Sequence, residues 1–342
     1  MASTGDSRDK ILERLESVLS SSTRSKSDIR FLLQMLSTTA DLVEGNSSSL
    51  DIKIASSAIN EMSRAFEMFA PYRDTRKVSI FGSARTTADN PIYNVTAQTA
   101  AALAEQGYMV VTGAGPGIME AGMVGAGRAN SIGVSIRLPF ETGANSVIAG
   151  DEKYVSMRYF FTRKLMLVKE SHAFLCLPGG FGTLDETFEL LTLAQTAKSV
   201  PVPIVFLEVP GAPFWTPLMN SIEPLLIDHG LISPSDTSLY TITSSVSEAV
   251  SIITGFYRNY HSIRFVDDEL IMRMNRPIPD KAFEAVKEEF SWIAEGGVIR
   301  QMDATPQEVQ DNDVVSMARI GLRYTPKGFA DLRGLIDAVN VF

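Results

Sequence analysis

A doubly wound α/β fold is predicted by two features of the chain. Short, continuously apolar runs alternate with helix-length stretches through its middle, and glycine-rich turns follow three of those runs. The strand-sized runs are Val78–Phe81, Tyr108–Val111, Ile132–Ile136, Ala173–Leu177 and Ile204–Leu207. Apolar at successive rather than alternate positions, they suit parallel strands covered on both faces. Between them, Val95–Glu105, Ile118–Ala129, Met157–Glu170 and Leu184–Thr196 read as helices. This alternation makes a parallel, Rossmann-like sheet. Right-handed crossovers then gather the loops that follow the strands at one edge, where such folds bind ligands.

The flanks follow other rhythms. Ahead of residue 76, apolar residues recur at three- and four-residue spacing. Ile11, Leu12, Leu15, Val18 and Leu19 form one stripe, and Ile29, Leu32, Leu33 and Leu36 a second. Ile52, Ala55, Ile59, Met62, Phe66 and Phe69 form a third, which Pro71 ends. Serine-rich punctuation at Ser20–Ser27 and Asn46–Ser49 separates them. Residues 1–75 are therefore expected to be a helical N-terminal extension, suited to capping or oligomer contact. Residues 76–260 are the α/β domain, closed by a helix over Ser245–Tyr260. In residues 261–342, Ile263–Val266, Leu270–Met274 and Val315–Leu322 read as strands, and Lys281–Ile293 and Leu332–Val339 as helices. With Met302–Asp313 read as loop, this is a small α+β accessory segment.

Composition narrows the function. With 45% hydrophobic and 21% charged residues among 342, the chain buries a sizeable core. A formal charge of -9, from 31 Lys+Arg against 40 Asp+Glu, argues against a broad nucleic-acid surface but leaves room for a local basic pocket. No run approaches the ~18 apolar residues of a membrane span, and Met1–Asp9 lacks the character of a signal peptide. The single cysteine, Cys176, forms neither an internal disulfide nor a multi-cysteine metal site, so a cytoplasmic location is expected. His172, His229 and His261 lack metal-ligand spacing, and no metal is expected.

Three turns hold the chemistry-bearing residues. In Gly82-Ser83-Ala84-Arg85, the glycine permits close backbone approach, Ser83 offers a hydroxyl and an N–H, and Arg85 offers a charge to an anion. The same residues also make an ordinary tight turn. Gly113-Ala114-Gly115-Pro116-Gly117 precedes a helix and leaves its first N–H groups open to an oxygen-rich ligand. It is not the dinucleotide fingerprint, which needs G-x-G-x-x-G after the first strand. The third turn is Pro178-Gly179-Gly180-Phe181-Gly182-Thr183-Leu184-Asp185-Glu186. It lacks Cβ atoms where a phosphate would meet a helix N-terminus, but has no Gly-Lys-Ser/Thr of a triphosphate loop, so a monophosphate suits it. By spacing alone, Thr183-x-x-Glu186 is equally a capping box.

This last turn resembles the P-G-G-x-G-T-x-x-E signature of the LOG ("lonely guy") phosphoribohydrolases. Arg163-Lys164, fifteen residues before Pro178, is similar in place to that family's R-K pair. Gly82-Ser83, Gly113–Gly117 and Ala173-Phe174 fit in the same order, over roughly Val78 to Leu207. Small family members commonly carry Met-His-x where this chain has Phe160-Phe161-Thr162, and they lack such long flanks. The resemblance implies hydrolysis of a nucleoside 5′-monophosphate, AMP or a cytokinin riboside monophosphate, to free base and ribose 5-phosphate. It implies no cofactor, and a homo-oligomer of at least two subunits.

Carried onto this chain, the resemblance makes Arg163 and Glu186 catalytic. It places Gly82, Ser83, Gly113, Gly115, Gly117, Lys164, Pro178, Gly179, Gly180, Gly182 and Thr183 in substrate binding, and Arg85 is added to them for the charge it offers an anion. A carboxylate beside C1′ can steady an oxocarbenium-like ribose and deprotonate water. An arginine can hold phosphate, ribose hydroxyls or that carboxylate. Helical periodicity alone would instead make Arg163 a solvent-facing residue opposite an inward Phe161. Such sequences are often called lysine decarboxylases, but Lys164 has no recognisable pyridoxal-phosphate site around it. Cys176 reads as an inert core residue and His172 as a turn or surface residue. The alternative on the same fold is a non-catalytic carrier or sensor of a phosphorylated nucleotide or cofactor.

Overall fold

The computed structural model describes residues 13–15, 17, 25–138, 143–325 and 328–342. The chain divides into two compact units, Met1–Asn60 and Glu61–Phe342. Helix α1 (Lys26–Glu44) starts where the Ser25 hydroxyl accepts from the Asp28 N–H at 3.1 Å, and it buries none of its residues. Helix α2 spans Ser49–Phe69. Of its expected stripe, Ile52, Ile59 and Phe66 are exposed, whereas Ala65 and Phe69 pack into the core of the larger unit. Alanine lets the helix approach closely, so the buried face lies one residue away from the bulkier stripe. Within the first stripe, Ile11, Leu12, Val18 and Leu19 lie outside the described residues, as do residues 20–24 of the first serine-rich break.

The larger unit is built on seven parallel strands in the order β4-β3-β2-β1-β5-β6-β7. They are β1 (Lys77–Phe81), β2 (Met109–Thr112), β3 (Ser131–Ile136), β4 (Tyr154–Met157), β5 (Ala173–Cys176), β6 (Ile204–Leu207) and β7 (Thr241–Thr243). Alternate residues of each central strand feed two cores. Val78, Ile80, Leu175 and Val205 pack with α3 (Pro91–Glu105), α4 (Ile118–Ala126) and α8 (Val246–Gly255). Phe81, Phe174, Cys176 and Phe206 pack with α2, α5 (Phe160–Lys169), α6 (Phe181–Gln195) and α7 (Trp215–Asp228). Burial on both faces is why these strands are apolar throughout.

The sequence pattern misses β4 and β7, the two edges of the sheet. Tyr154 and Ser156 of β4 are only half-buried, and β7 reads Thr-Ile-Thr, so neither makes an apolar run. The helix expected from Met157 therefore begins at Phe160, after that strand. The helix expected over Ser245–Tyr260 stops at Gly255, because Tyr260 opens the next sheet.

That second sheet is antiparallel, β10-β11-β9-β8, from β8 (Tyr260–Val266), β9 (Glu269–Met274), β10 (Ala294–Met302) and β11 (Ala318–Tyr324). Helices α9 (Asp280–Phe290) and α11 (Ala330–Val339) share its core. Edge strand β10 is mostly exposed and carries Gly296 and Gly297, so nothing in its sequence announces it. Part of the expected loop Met302–Asp313 is a short helix, α10 (Pro306–Asp311), held by a Thr305/Glu308 capping box. Glu308 is fully buried and accepts from Arg273 Nε at 2.8 Å and Arg319 Nε at 3.2 Å. No helix among the described residues is long and apolar enough to cross a membrane.

Candidate active site

Because the seven strands run parallel, the turns after β1, β2 and β5 meet at one edge of the sheet. They are bonded to one another: Ser83 N donates to the Pro178 carbonyl at 3.1 Å, and Ile118 N to the Ser83 carbonyl at 3.0 Å. A cleft of about 880 Å³ opens there, lined by Gly82, Ser83, Arg85, Gly113, Arg163, Lys164, Gly179, Gly180, Gly182, Thr183 and Glu186. Gly115, Gly117 and Pro178 are not in its lining; they shape the turns behind it. Phe160, Phe181, Met119, Phe214 and Leu218 also line it. The last two come from the start of α7, a contribution that the glycine motifs could not reveal.

The glycines divide into two kinds. A Cβ on Gly113 would stand 2.2 Å from Arg163 Nη2, and one on Gly179 would stand 2.2 Å from Thr183 Oγ1. A Cβ on Gly82 would meet the Ile118 side chain at 2.5 Å, and Gly117 has φ +71° with the Ser83 carbonyl 2.4 Å from its Cβ position. These four are required by protein packing. At Gly180 and Gly182, by contrast, a Cβ would meet nothing within 4 Å. Their openness faces the cleft at the N-terminus of α6, whose N-cap residue is Gly180 and which no side chain caps. The first N–H groups of that helix are therefore available to an anion.

That start position overturns the capping-box reading of Thr183 and Glu186. Helix α6 begins at Phe181, which places Thr183 already inside it and Glu186 well beyond the first turn. Glu186 instead accepts from Arg163 Nη1 at 2.8 Å, with its side chain only 13% exposed. Arg163 is buried and donates from Nε to the Val134 carbonyl at 3.1 Å. The solvent-facing alternative for Arg163 fails, and so does the inward Phe161, which is 53% exposed. Burial raises the Glu186 carboxyl above its ordinary range, and the Arg163 charge only partly offsets this.

Lys164 joins α5 to α6 through Asp185 Oδ2 at 2.6 Å and Glu189 Oε2 at 2.8 Å. Burial pulls its ammonium down, but the two carboxylates outweigh burial and hold it above the ordinary lysine value. That is the opposite of what an amine nucleophile needs. Arg85 is exposed, and its N–H donates to Ser83 Oγ at 3.1 Å. Cys176 is fully buried and burial pushes its thiol up to about 12, in keeping with an inert core residue. His172 is half-buried rather than a surface residue: its Nδ1 accepts from Lys77 N at 3.2 Å, and burial lowers it to about 4. Among the described residues no group of three or more His, Cys, Asp or Glu side chains could hold a metal ion.

The sheet, the open helix N-terminus and the buried carboxylate–guanidinium pair together define an α/β protein with a charge-bearing cleft of about 880 Å³ at the strand ends. Residues 104–253 match the family model described as "Possible lysine decarboxylase". The chain is also similar to curated cytokinin riboside 5′-monophosphate phosphoribohydrolases. One is LOG1 of Arabidopsis thaliana, 31% identical over 101 residues, covering 30% of this chain and 46% of that protein. Another is the probable enzyme LOGL2 of Oryza sativa subsp. japonica, 31% identical over 113 residues and covering 33% and 43%. The chain thus spans less than half the length of these curated relatives. Over this part of its length the chain is therefore similar to the LOG phosphoribohydrolases. Among solved structures, the molybdenum cofactor carrier protein of Chlamydomonas reinhardtii is 16% identical, with a TM-score of 0.34 and coverage of 53% of this chain and 96% of that chain.

Proposed function

We propose that the cleft hydrolyses the N-glycosidic bond of a nucleoside 5′-monophosphate, AMP or a related cytokinin riboside monophosphate, in the cytoplasm. The observation that carries this reading is the buried Arg163–Glu186 pair beside an uncapped, glycine-lined helix N-terminus. The 5′-phosphate sits at the N–H groups following Gly180, with Arg85 within reach of its remaining charge. The base lies among the aromatic side chains of the lining, Phe160, Phe181 and Phe214. As the bond between C1′ and the base nitrogen breaks, positive charge grows on the ribose, and the Glu186 carboxylate stabilises it. Water then bonds to C1′ through its oxygen and gives one proton to Glu186, while the base nitrogen takes a proton from solvent. Arg163 opposes the rise that burial imposes on the carboxyl and aims it.

The test is release of free base from AMP, GMP, CMP, UMP, IMP and isopentenyl-AMP, with adenosine as the control lacking phosphate. Because the remote phosphate supplies the binding energy that positions the ribose, kcat/KM for the best nucleotide should exceed that for its nucleoside by about 100-fold or more. Equal values would remove the glycine turn from the mechanism. Tight nucleotide binding with no base released would make the protein a carrier instead.

A further inference from the structure

We infer that Glu61, on α2 and outside the cleft, is a positioning residue that sets the place of Arg163. The inference rests on the hydrolytic reading above and adds a residue to it. Glu61 is a carboxylate only 9% exposed, on the same helix face as Ala65 and Phe69. All its hydrogen bonds go to the entry of α5: it accepts from Arg158 N at 2.8 Å, Tyr159 N at 3.4 Å and Thr162 Oγ1 at 2.7 Å. Helix α5 has no cap of its own, since Tyr159 at its N-cap position makes no side-chain bond. A buried carboxylate at that end satisfies the orphan N–H groups and complements the helix dipole.

The connection to the cleft is short. Arg163 follows Thr162 directly, and its own N–H donates to the Tyr159 carbonyl at 3.2 Å. Glu61 therefore grips the residues immediately before Arg163 and the residue that receives its backbone. The rest of the first turn offers little anchorage, because Phe160 and Phe161 are 56% and 53% exposed. From this turn the guanidinium must reach Val134 and Glu186 at once. A shift of the helix by a fraction of an ångström would break one of those bonds.

Glu61→Ala and Glu61→Gln, each with Arg163→Ala as a second background, separate positioning from plain stability. In Glu61→Ala the Arg158 and Tyr159 amides should exchange with deuterium about tenfold faster or more. The Glu186 carboxyl, followed by carbon NMR, should titrate at higher pH, because the displaced Arg163 no longer opposes burial. With AMP, kcat should fall about tenfold while KM stays within about twofold, since the phosphate is held by α6 rather than α5. Glu61→Gln keeps one acceptor and should recover much of the loss, which also serves if the alanine variant folds poorly. In the Arg163→Ala background, Glu61→Ala should change kcat by less than about twofold. Unchanged amide exchange, an unmoved Glu186 titration, or losses that multiply in the double variant would each overturn the inference. If the wild type releases no base from any nucleotide, the hydrolytic reading fails, while the exchange and titration still decide the role of Glu61.

Discussion

At the scale of single residues, Glu186 holds a carboxylate where its charge is resisted: burial raises it above the 4.5 of a free glutamate, and Arg163 opposes that rise. Because the folded-state value is raised, its contribution to folding is greatest below the unfolded value and is lost as pH rises through the folded one. Catalysis needs the opposite form, since only the ionised carboxylate can take a proton from water. Two results follow. The acid limb of kcat/KM should lie above the free-glutamate value rather than at it. Glu186→Gln, which can still accept from Arg163 and is not a helix cap, should leave the melting temperature nearly unchanged and AMP binding intact. Its kcat should fall by about two orders of magnitude or more, in line with the loss of a general base. A folded Gln variant that hydrolyses its best nucleotide within severalfold of wild type would take the chemistry away from Glu186.

Among the elements, the glycine turns give the sharpest contrast, because the same change has different consequences at two positions. Gly180→Ala should fold normally, since its Cβ meets nothing within 4 Å and its φ of -87° suits any residue. The added methyl would stand where phosphate must approach, so KM for AMP should rise about tenfold or more with kcat less affected. Gly113→Ala instead drives a Cβ toward the Arg163 guanidinium, so kcat should fall and KM change less. Steady-state kinetics on the two variants checks this, and a shared pattern would mean the glycines do not divide as described. The five central strands of the parallel sheet were legible from sequence because burial on both faces imposes apolar runs. Edge strands β4 and β7 were not, since edge positions tolerate Ser, Thr and Tyr. Within the site, the glycine turn and the Arg163–Glu186 pairing partners were legible as motif residues. The inversion of α5 was not: Arg163 is buried and Phe161 exposed because a carboxylate 23 positions away receives the guanidinium. Helical periodicity registers only neighbours along one helix. Glu61 left one trace, an acidic residue in register with Ala65 and Phe69, whose meaning depends on a helix entry 97 positions later.

For the whole molecule, the apolar side of α5 bears on assembly. Phe160, Phe161 and Leu165 are all exposed, and with Val200 they line an apolar groove of about 830 Å³. The groove shares Phe160, Lys164 and Asp185 with the cleft, so the two adjoin along α5 and the start of α6. Contiguous apolar surface of this kind is costly in water and marks contact sites. We propose a second copy of the chain as the cover, because a two-fold axis beside α5 would bury the same residues from both subunits. A stable pair needs about 800 Å² buried per partner, and a formal charge of -9 on each copy opposes association. Added salt should therefore tighten the pair by screening that repulsion. Light scattering at micromolar concentration should report a dimer for the wild type. If a second copy covers the groove, Phe161→Glu and Leu165→Glu, both at exposed positions, should give folded monomers, with AMP hydrolysis reduced where that contact also supports the adjoining cleft. A monomeric wild type would refute the assignment, and full activity in a monomeric variant would show that each cleft is complete within one chain.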